Sequence, residues 1–333
     1  MEHLEVLAAY PDDCRPLDVE PLGSAGGFSG ASFWRVHARC GTLCLRRWPQ
    51  EHPPVEGLEF IQAVLWHVTR EGFDLVPLPR ETRRHAGYVR HAGHLWELEP
   101  WMPGAADFAE DPTAEKLTAA LVTLAEFHRA AATFPLPHPP YSPSPGIEDR
   151  RRQLRRWLGG HLDEVQQAVS SQLWPELAPL ASRICSLVSR RGAKILDQLD
   201  RCSNHRVALQ PCICDIWHAH VLFEGPCVTG LIDFGSLGTE NVAADVARLL
   251  GSLAGDDAEL WKLGLGAYQS IRPLSDTELA LVEAFDRSTV LMAGLNWIDW
   301  IYMQRRVFEN RDAIPGRLRE ILGRLELLDC LRP

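Results

Sequence analysis

The chain has 333 residues and a formal net charge of −10, with 46% hydrophobic and 23% charged residues. This length is typical of two lobes rather than one small core, and the negative charge argues against nucleic acid as the main partner. No run of about 18 apolar residues occurs, and the acidic start of the chain lacks the basic region of a secretory signal. We therefore expect a cytoplasmic protein with no membrane partner; its oligomeric state stays open.

The nine cysteines are scattered along the chain, and no two of them form a C-x-x-C motif. This pattern argues against a disulfide framework or structural zinc. Basic residues are uneven, because the chain has three lysines and the first 115 residues contain none.

The first hundred residues predict a β-rich unit with few helices. A glycine-rich stretch from Gly23 to Gly30 follows an N-terminal segment that looks helical to about residue 15. Alternation, helical spacing and turn residues predict the next elements. They are strands over 31–38 and 43–48, a helix over 56–70 and a hairpin that turns near 91–93.

After residue 104 the pattern becomes helical, and one hairpin interrupts it. A cap at Asp111 or Thr113 begins the first of these helices, and Ser275 begins a capping box. Later predicted helices cover 148–169, 176–200, 242–254, 257–270, 276–308 and 315–329. The hairpin has short apolar strands over 221–223 and 228–232 around a turn at Gly225.

The ends of this hairpin carry chemistry-bearing side chains. Folding the two strands antiparallel about Gly225 returns Asp233 to the neighbourhood of Asp215, His218 and His220. Two carboxylates and two imidazoles at one hairpin mouth are typical of a metal-binding or acid–base site.

The order of these segments resembles the aminoglycoside phosphotransferase and choline kinase-like family, within the protein-kinase-like fold. The spacing Asp215-x4-His220, a hairpin and Asp233-Phe234-Gly235 carries most of the resemblance, and "GGFSG", "LCLRRWP" and "ELEPWMPG" precede it in the family's order. The resemblance implies an α+β, two-lobed fold. A small β-rich N-lobe would cover 1–100, a hinge 101–104, and a larger helical C-lobe 105–333.

The resemblance also implies roles for single residues in ATP-dependent phosphoryl transfer with Mg²⁺. Asp215 would be the catalytic base, and Asp233 would bind the metal. Nucleotide contacts would come from the glycine loop, the next strand, its helix partner and the hinge. These residues are Gly26, Gly27, Ser29, Arg46, Glu59 (with Glu56 as the alternative), the Glu99 carbonyl and the Trp101 N–H. Asp245 would brace the catalytic loop.

Three positions depart from the family's pattern. Ile213 stands where a histidine usually supports the catalytic loop, and Arg46 stands where the strand usually presents a lysine. His220 replaces an asparagine that normally binds the metal. Since imidazole suits Mn²⁺ better than Mg²⁺, His220 either favours Mn²⁺ or turns away and leaves the metal mainly to Asp233.

The leading hypothesis is a small-molecule kinase that phosphorylates a hydroxyl group. Because of the departures, a degenerate kinase-like protein acting as a nucleotide-binding or scaffold module stays open, although keeping both aspartates disfavours it. A metal-dependent hydrolase would leave the glycine loop and hinge unexplained. The acidic charge permits an amine-bearing acceptor without selecting one, and Trp297, Asp299 and Trp300 would supply an aromatic and acidic wall for it if they are not core.

Overall fold

The computed structural model describes residues 2–23, 30–137, 139, 141–170, 174–306, 308, 311–312 and 314–328. The predicted phosphate-contacting residues Gly26, Gly27 and Ser29 lie outside the described residues. The chain folds into two compact units. The first comprises Met1–Pro135 and His218–Gly238, and the second comprises Leu136–Trp217 and Thr239–Pro333.

The elements run along the chain in an α+β order, as predicted. The first part contains α1 (Glu2–Leu7), β1 (Pro16–Gly23), β2 (Ser32–Ala38), β3 (Gly41–Arg47), α2 (Val55–Arg70), β4 (Val89–His91), β5 (His94–Pro100) and α3 (Ala114–Ala131). The middle contains β6 (Tyr141–Ser142), α4 (Pro145–Arg156), α5 (Leu162–Ser170), α6 (Ala178–Cys202), β7 (Val207–Ala208), β8 (Gln210–Cys212), β9 (Val221–Glu224) and β10 (Cys227–Leu231). The last part contains β11 (Gly238–Glu240), α7 (Ala243–Ala254), α8 (Ala258–Gln269), α9 (Asp276–Ile298) and α10 (Ile314–Leu327).

The first unit is built on an antiparallel sheet in the order β1-β2-β3-β5-β4. Side chains alternate between the two faces of a strand, and β3 and β5 use this alternation to separate an apolar face from a polar one. On the apolar face, Leu43, Leu45, Trp96 and Leu98 join a buried cluster with residues of α1. The polar face carries the candidate site described below.

Helix α3 and the β9–β10 hairpin also belong to the first unit. The Thr113 side chain caps α3 by accepting from the backbone N–H of Lys116, and this capping prediction is confirmed. Lys116 is 2% exposed and donates to both Asp107 and Asp111, at 2.9 Å each. Because a buried ammonium must be paired, these two carboxylates fix the turn that leads into the helix.

The second unit is mainly helical. Short two-stranded ladders, β6 with β7 and β8 with β11, complete it. Ser275 and Glu278 form the predicted capping box at the start of α9. Within the described residues, no helix is long and apolar enough to cross a membrane.

Three helix predictions were wrong in extent. The N-terminal helix ends at Leu7, and a 3-10 turn at Asp12–Cys14 follows it. The helix predicted over 148–169 is interrupted by a π-helical turn, Trp157–His161, where Gly160 has a φ of 129°. The helix predicted over 276–308 leaves α-helical geometry at Asp299–Met303, which is also a π-helical turn. Periodicity continues through such turns, so the sequence pattern alone did not reveal them.

Candidate active site

Arg46 lies at the centre of the polar sheet face in the first unit. Its guanidinium is 4.0 Å from the Glu99 carboxylate and 3.6 Å from the Asp233 carboxylate. The aromatic rings of Phe33 and Trp48 lie 5.0 and 4.5 Å from its central carbon. Arginine suits this place because its planar, permanently charged group stacks on rings and binds carboxylates.

Burial and charge act in opposite directions on this cluster. Arg46 is 7% exposed, and burial alone would lower its pKa, but the carboxylates of Glu99, Asp233 and Glu97 outweigh burial and raise it. Burial raises the pKa of Glu99 to about 8, against the opposing effect of Arg46. Burial also raises the pKa of Glu97. The cluster therefore keeps its cation, and burial makes both acids take up a proton more readily than they would in water.

The helix beside this face contributes an amide rather than the predicted carboxylate. Gln62 of α2 donates to Glu97 at 2.7 Å and to the Gly87 carbonyl at 3.0 Å. Glu59, the predicted partner of Arg46, instead accepts from the Tyr88 hydroxyl at 2.9 Å. The structure thus shows strand β5, through Glu97 and Glu99, supplying carboxylates beside Arg46.

The segment predicted to hold adenine already forms a backbone hydrogen bond within the first unit. The backbone N–H of Trp101 donates to the Thr42 carbonyl at 3.0 Å. Its indole is 37% exposed, with the Arg35 guanidinium 4.1 Å from the ring centroid. Adenine recognition through the Trp101 N–H stays a prediction, and it requires that backbone bond to open.

The β9–β10 hairpin brings His220 and Asp233 together, as antiparallel pairing about Gly225 predicted. His220 Nε2 lies 3.5 Å from the Asp233 carboxylate, and the Ile232 N–H donates to the His220 carbonyl. Asp233 has a φ of 62°, a left-handed conformation that aspartate tolerates better than most residues. Its carboxylate is half exposed and thus open to a ligand.

This carboxylate–imidazole pair is chemically suited to a divalent cation. Carboxylate oxygen is a good ligand for Mg²⁺, and imidazole nitrogen is a better ligand for Mn²⁺ or Zn²⁺. The neighbouring Arg46 charge would meet phosphate rather than metal, since a cation repels a cation. His218 and His220 lie at the two ends of a 3-10 turn, His218–His220, and His218 is half-buried.

Asp215 lies in the second unit, on the loop after β8. Its carboxylate accepts from Arg248 Nε at 3.3 Å and Nη2 at 3.2 Å. Cys214, directly before it, has a φ of 65°, which is unusual for a residue with this side chain. The loop therefore needs a specific support to hold this backbone conformation.

Asp245 provides that support, as predicted. One of its carboxylate oxygens accepts from the Ile213 N–H and the other from the Cys214 N–H, both at 2.7 Å. Asp245 is fully buried on α7, and Ile213 is also fully buried. The loop that lacks the family's histidine is thus held through its backbone, while Ile213 packs in the interior.

Two charged residues of the site were not predicted from the sequence, Glu97 beside Arg46 and Arg248 beside Asp215. Glu97 is two residues before Glu99 on one strand, so period-two alternation would have placed both on one face. Arg248 is three residues after Asp245 on one helix, so helical spacing would have placed it near the loop that Asp245 braces.

Comparison with known proteins agrees with this geometry. The sequence model of the phosphotransferase enzyme family matches residues 20–278. The chain belongs to this family. A homoserine kinase from Chelativorans sp. is 26% identical over 295 residues, which cover 84% of this chain and 83% of the relative. The family and enzyme class predicted from the sequence, a small-molecule kinase, are therefore confirmed.

Solved structures show the same fold at low identity. An aminoglycoside phosphotransferase from Alicyclobacillus acidocaldarius is similar with a TM-score of 0.67 at 17% identity, covering 98% of this chain and 93% of that one. A microcompartment-associated aminopropanol kinase has a TM-score of 0.63 at 18% identity, covering 99% and 98%. The predicted protein-kinase-like fold, with a β-rich N-lobe and a helical C-lobe, is confirmed.

The Asp245 brace gives a first prediction. In Asp245→Asn, the amide offers one acceptor oxygen to two backbone donors, so one buried N–H loses its partner. We expect the free energy of unfolding to fall by about 1–3 kcal/mol, measured by urea denaturation. Asp18→Asn, an exposed strand position, is the matched control and should change little. Equal effects of the two substitutions would contradict a bracing role.

Glu99 gives a second prediction, in pH dependence. Its pKa of about 8 in the folded protein lies above the usual 4.5. Its contribution to stability is therefore fully present below about pH 4.5 and is lost as the pH rises through about 8. Glu99→Gln mimics the protonated acid and lacks this loss.

The free energy of unfolding of Glu99→Gln minus that of the wild type should therefore increase between pH 5 and 8. The increase is at most about 1.4 kcal/mol per pH unit, from urea titrations at each pH. Leu17→Ala, at an exposed strand position without a titratable side chain, is the control and should give a difference that does not change with pH. A flat difference for Glu99→Gln would show that this carboxyl titrates normally.

Proposed function

We propose that this protein transfers the γ-phosphoryl group of ATP to a hydroxyl of a small amino alcohol or hydroxy amino acid. In this proposal Asp215 is the base, and Asp233 is the main protein ligand of Mg²⁺. The observation that carries it is the meeting of Arg46, Asp233 and His220 in the first unit. A permanent cation next to a half-exposed carboxylate matches the charges of a metal-bound triphosphate.

In the reaction, Asp215 accepts the proton of the acceptor hydroxyl while the oxygen of that hydroxyl forms a bond to the γ-phosphorus. The bond from that phosphorus to the β–γ bridging oxygen breaks, and ADP leaves. Arg248 keeps the Asp215 carboxylate oriented through its two hydrogen bonds. A divalent ion held mainly by Asp233 would neutralise phosphate charge when bound.

The remaining predicted residues fit around this step. Arg46 would contact phosphate, the glycine loop with Gly26, Gly27 and Ser29 would cover it, and the hinge at 101–104 would hold adenine. The N-lobe, 1–100, would thus bind nucleotide, and the C-lobe, 105–333, would carry the acceptor.

Glu59 would pair with Arg46 only if its hydrogen bond to the Tyr88 hydroxyl broke. We therefore assign the role of acidic partner of Arg46 to Glu97 and Glu99 instead.

The acceptor class follows from the relatives together with one side-chain cluster. The curated relative is named for homoserine, and one solved neighbour is named for aminopropanol; both compounds carry an amine and a hydroxyl. In the second unit, Trp297 and Trp300 lie edge to face at 5.5 Å, and Asp299 is hydrogen-bonded to His161 at 3.1 Å. Aromatic faces and a carboxylate attract an ammonium group, which supports an amine-bearing acceptor.

Turnover with an acceptor panel tests the proposal. We expect ADP release from ATP–Mg²⁺ that depends on L-homoserine or 1-amino-2-propanol and is weaker with kanamycin. Asp215→Asn should lower kcat by about 10²–10⁴-fold, while ATP–Mg²⁺ still raises its unfolding midpoint. Asp233→Ala should lose both turnover and the metal-dependent midpoint shift.

Asp18→Asn is the control and should behave as the wild type does. If no nucleotide shifts the midpoint at saturating concentration, the degenerate kinase-like alternative replaces the proposal. If the midpoint shifts but no hydroxyl compound supports ADP release, the acceptor class is wrong.

His220 gives a separate prediction about the metal. If its imidazole is a ligand, Mn²⁺ should support a higher kcat/KM than Mg²⁺, and His220→Asn should reverse this preference because an amide oxygen suits Mg²⁺. Parallel titrations of both ions with the two proteins measure it. An unchanged ratio between the ions in His220→Asn would leave the metal to Asp233, with His220 turned away.

A further inference from the structure

A second group of metal-ligating side chains lies on the first unit, outside the phosphotransfer residues. It consists of Asp13, Cys14 and Cys40, whose ligand atoms all lie within 4.8 Å of one another. The two sulfur atoms are 3.6 Å apart, and both cysteines are free thiols. Cys14 and Cys40 are 26 positions apart in the sequence, so the spacing of the cysteines did not reveal this pair and argued against a zinc site.

The fold explains why they meet. Cys14 ends the 3-10 turn before β1, and Cys40 lies in the turn between β2 and β3. Strands β1 and β2 pair antiparallel with Pro16 opposite Ala38, so the residues just outside that pair come together. The thiols are thus placed by sheet register.

The backbone around the pair is held from several sides. The Cys40 N–H donates to the Asp13 carbonyl at 3.1 Å, and the Cys14 N–H donates to the Pro11 carbonyl at 3.0 Å. The Arg83 guanidinium donates to the Tyr10 carbonyl at 2.8 Å. A turn fixed in this way keeps its side chains in place before any ligand arrives, which lowers the cost of binding.

We propose that Asp13, Cys14 and Cys40 form a binding site for a thiophilic divalent cation of the zinc class. Two Zn–S bonds of about 2.3 Å at the tetrahedral angle place their sulfurs about 3.8 Å apart, close to the 3.6 Å observed. A disulfide would need the sulfurs at about 2.05 Å. The present spacing therefore fits two ligands of one metal better than two halves of a bond.

The ligand types and exposure define the kind of site. Thiolates select zinc-like ions over Mg²⁺, which prefers oxygen, so this site is chemically distinct from that of the nucleotide's metal. Cys14 is 3% exposed and belongs to the apolar cluster of the sheet, whereas Asp13 is exposed. Three protein ligands with one solvent-facing side leave a fourth position for water. The bound ion would fasten the N-terminal turn to the β2–β3 turn.

Cobalt substitution tests the site, because Co²⁺ bound by thiolates gives a charge-transfer absorption that oxygen ligands do not give. The full chain, reduced with a phosphine, is titrated with Co²⁺ and then with Zn²⁺. We expect one Co²⁺ per chain, displacement by Zn²⁺, and protection of two thiols from a thiol reagent by Zn²⁺. Since metal binding releases the thiol protons, affinity should rise with pH.

Cys40→Ser leaves only the Cys14 thiolate, so it should strongly reduce the charge-transfer band and weaken Zn²⁺ binding by at least about 100-fold. Asp13→Asn should keep the band and weaken binding. Asp13→Asn replaces an exposed side chain, so it tests the site even if Cys14→Ser or Cys40→Ser fails to fold. Cys227→Ser, at an exposed cysteine, is the matched control and should bind as the wild type does.

Absence of the charge-transfer band in the reduced wild type overturns the proposal, as does a band of unchanged intensity in Cys40→Ser. Binding of ATP–Mg²⁺, followed by the unfolding midpoint, should be unchanged in Asp13→Asn. The site and the proposed phosphotransfer are therefore tested independently.

Discussion

The first unit depends on the burial of one permanent charge. The guanidinium of Arg46 cannot lose its proton, so every residue around it must either neutralise it or stack against it. Glu97 and Glu99 face it from the neighbouring strand, Asp233 faces it with a half-exposed carboxylate from the β9–β10 hairpin, and Trp48 provides a ring. The sheet, the hairpin and the candidate metal ligand Asp233 therefore all contact or face the side chain of Arg46.

This arrangement changes how the family's pattern is achieved. Where a lysine would offer a compact, mobile ammonium, Arg46 offers a planar group that already has partners. Two acids with raised pKa values lie beside it, and Gln62 holds one of them. The second unit also lacks a residue that the family usually has, the histidine that supports the catalytic loop. There Asp245 holds the backbone of the Asp215 loop through two hydrogen bonds.

Much of this was readable from the sequence because it depends on local periodicity and on ordered motifs. Alternation located β3 and β5, and the turn at Gly225 placed Asp233 beside His220. What could not be read depends on contacts between distant segments. The choice of Gln62 over Glu59 beside Glu97 depends on how α2 is rotated against the sheet. The meeting of Cys14 with Cys40 depends on strand register, and the π-helical turns keep the apolar spacing of ordinary helices.

The distribution of lysine has a practical consequence for chemical labelling. The strand position that family members use for an amine carries Arg46, and the first lysine of the chain, Lys116, is buried between two carboxylates. Acylating reagents that identify kinases by modifying the amine beside a bound nucleotide have no such group to attack on β3. Surveys that detect kinases by that reaction would miss this protein even where it is abundant. Reagents directed at guanidinium groups would instead find Arg46, which is buried on the polar face of the sheet.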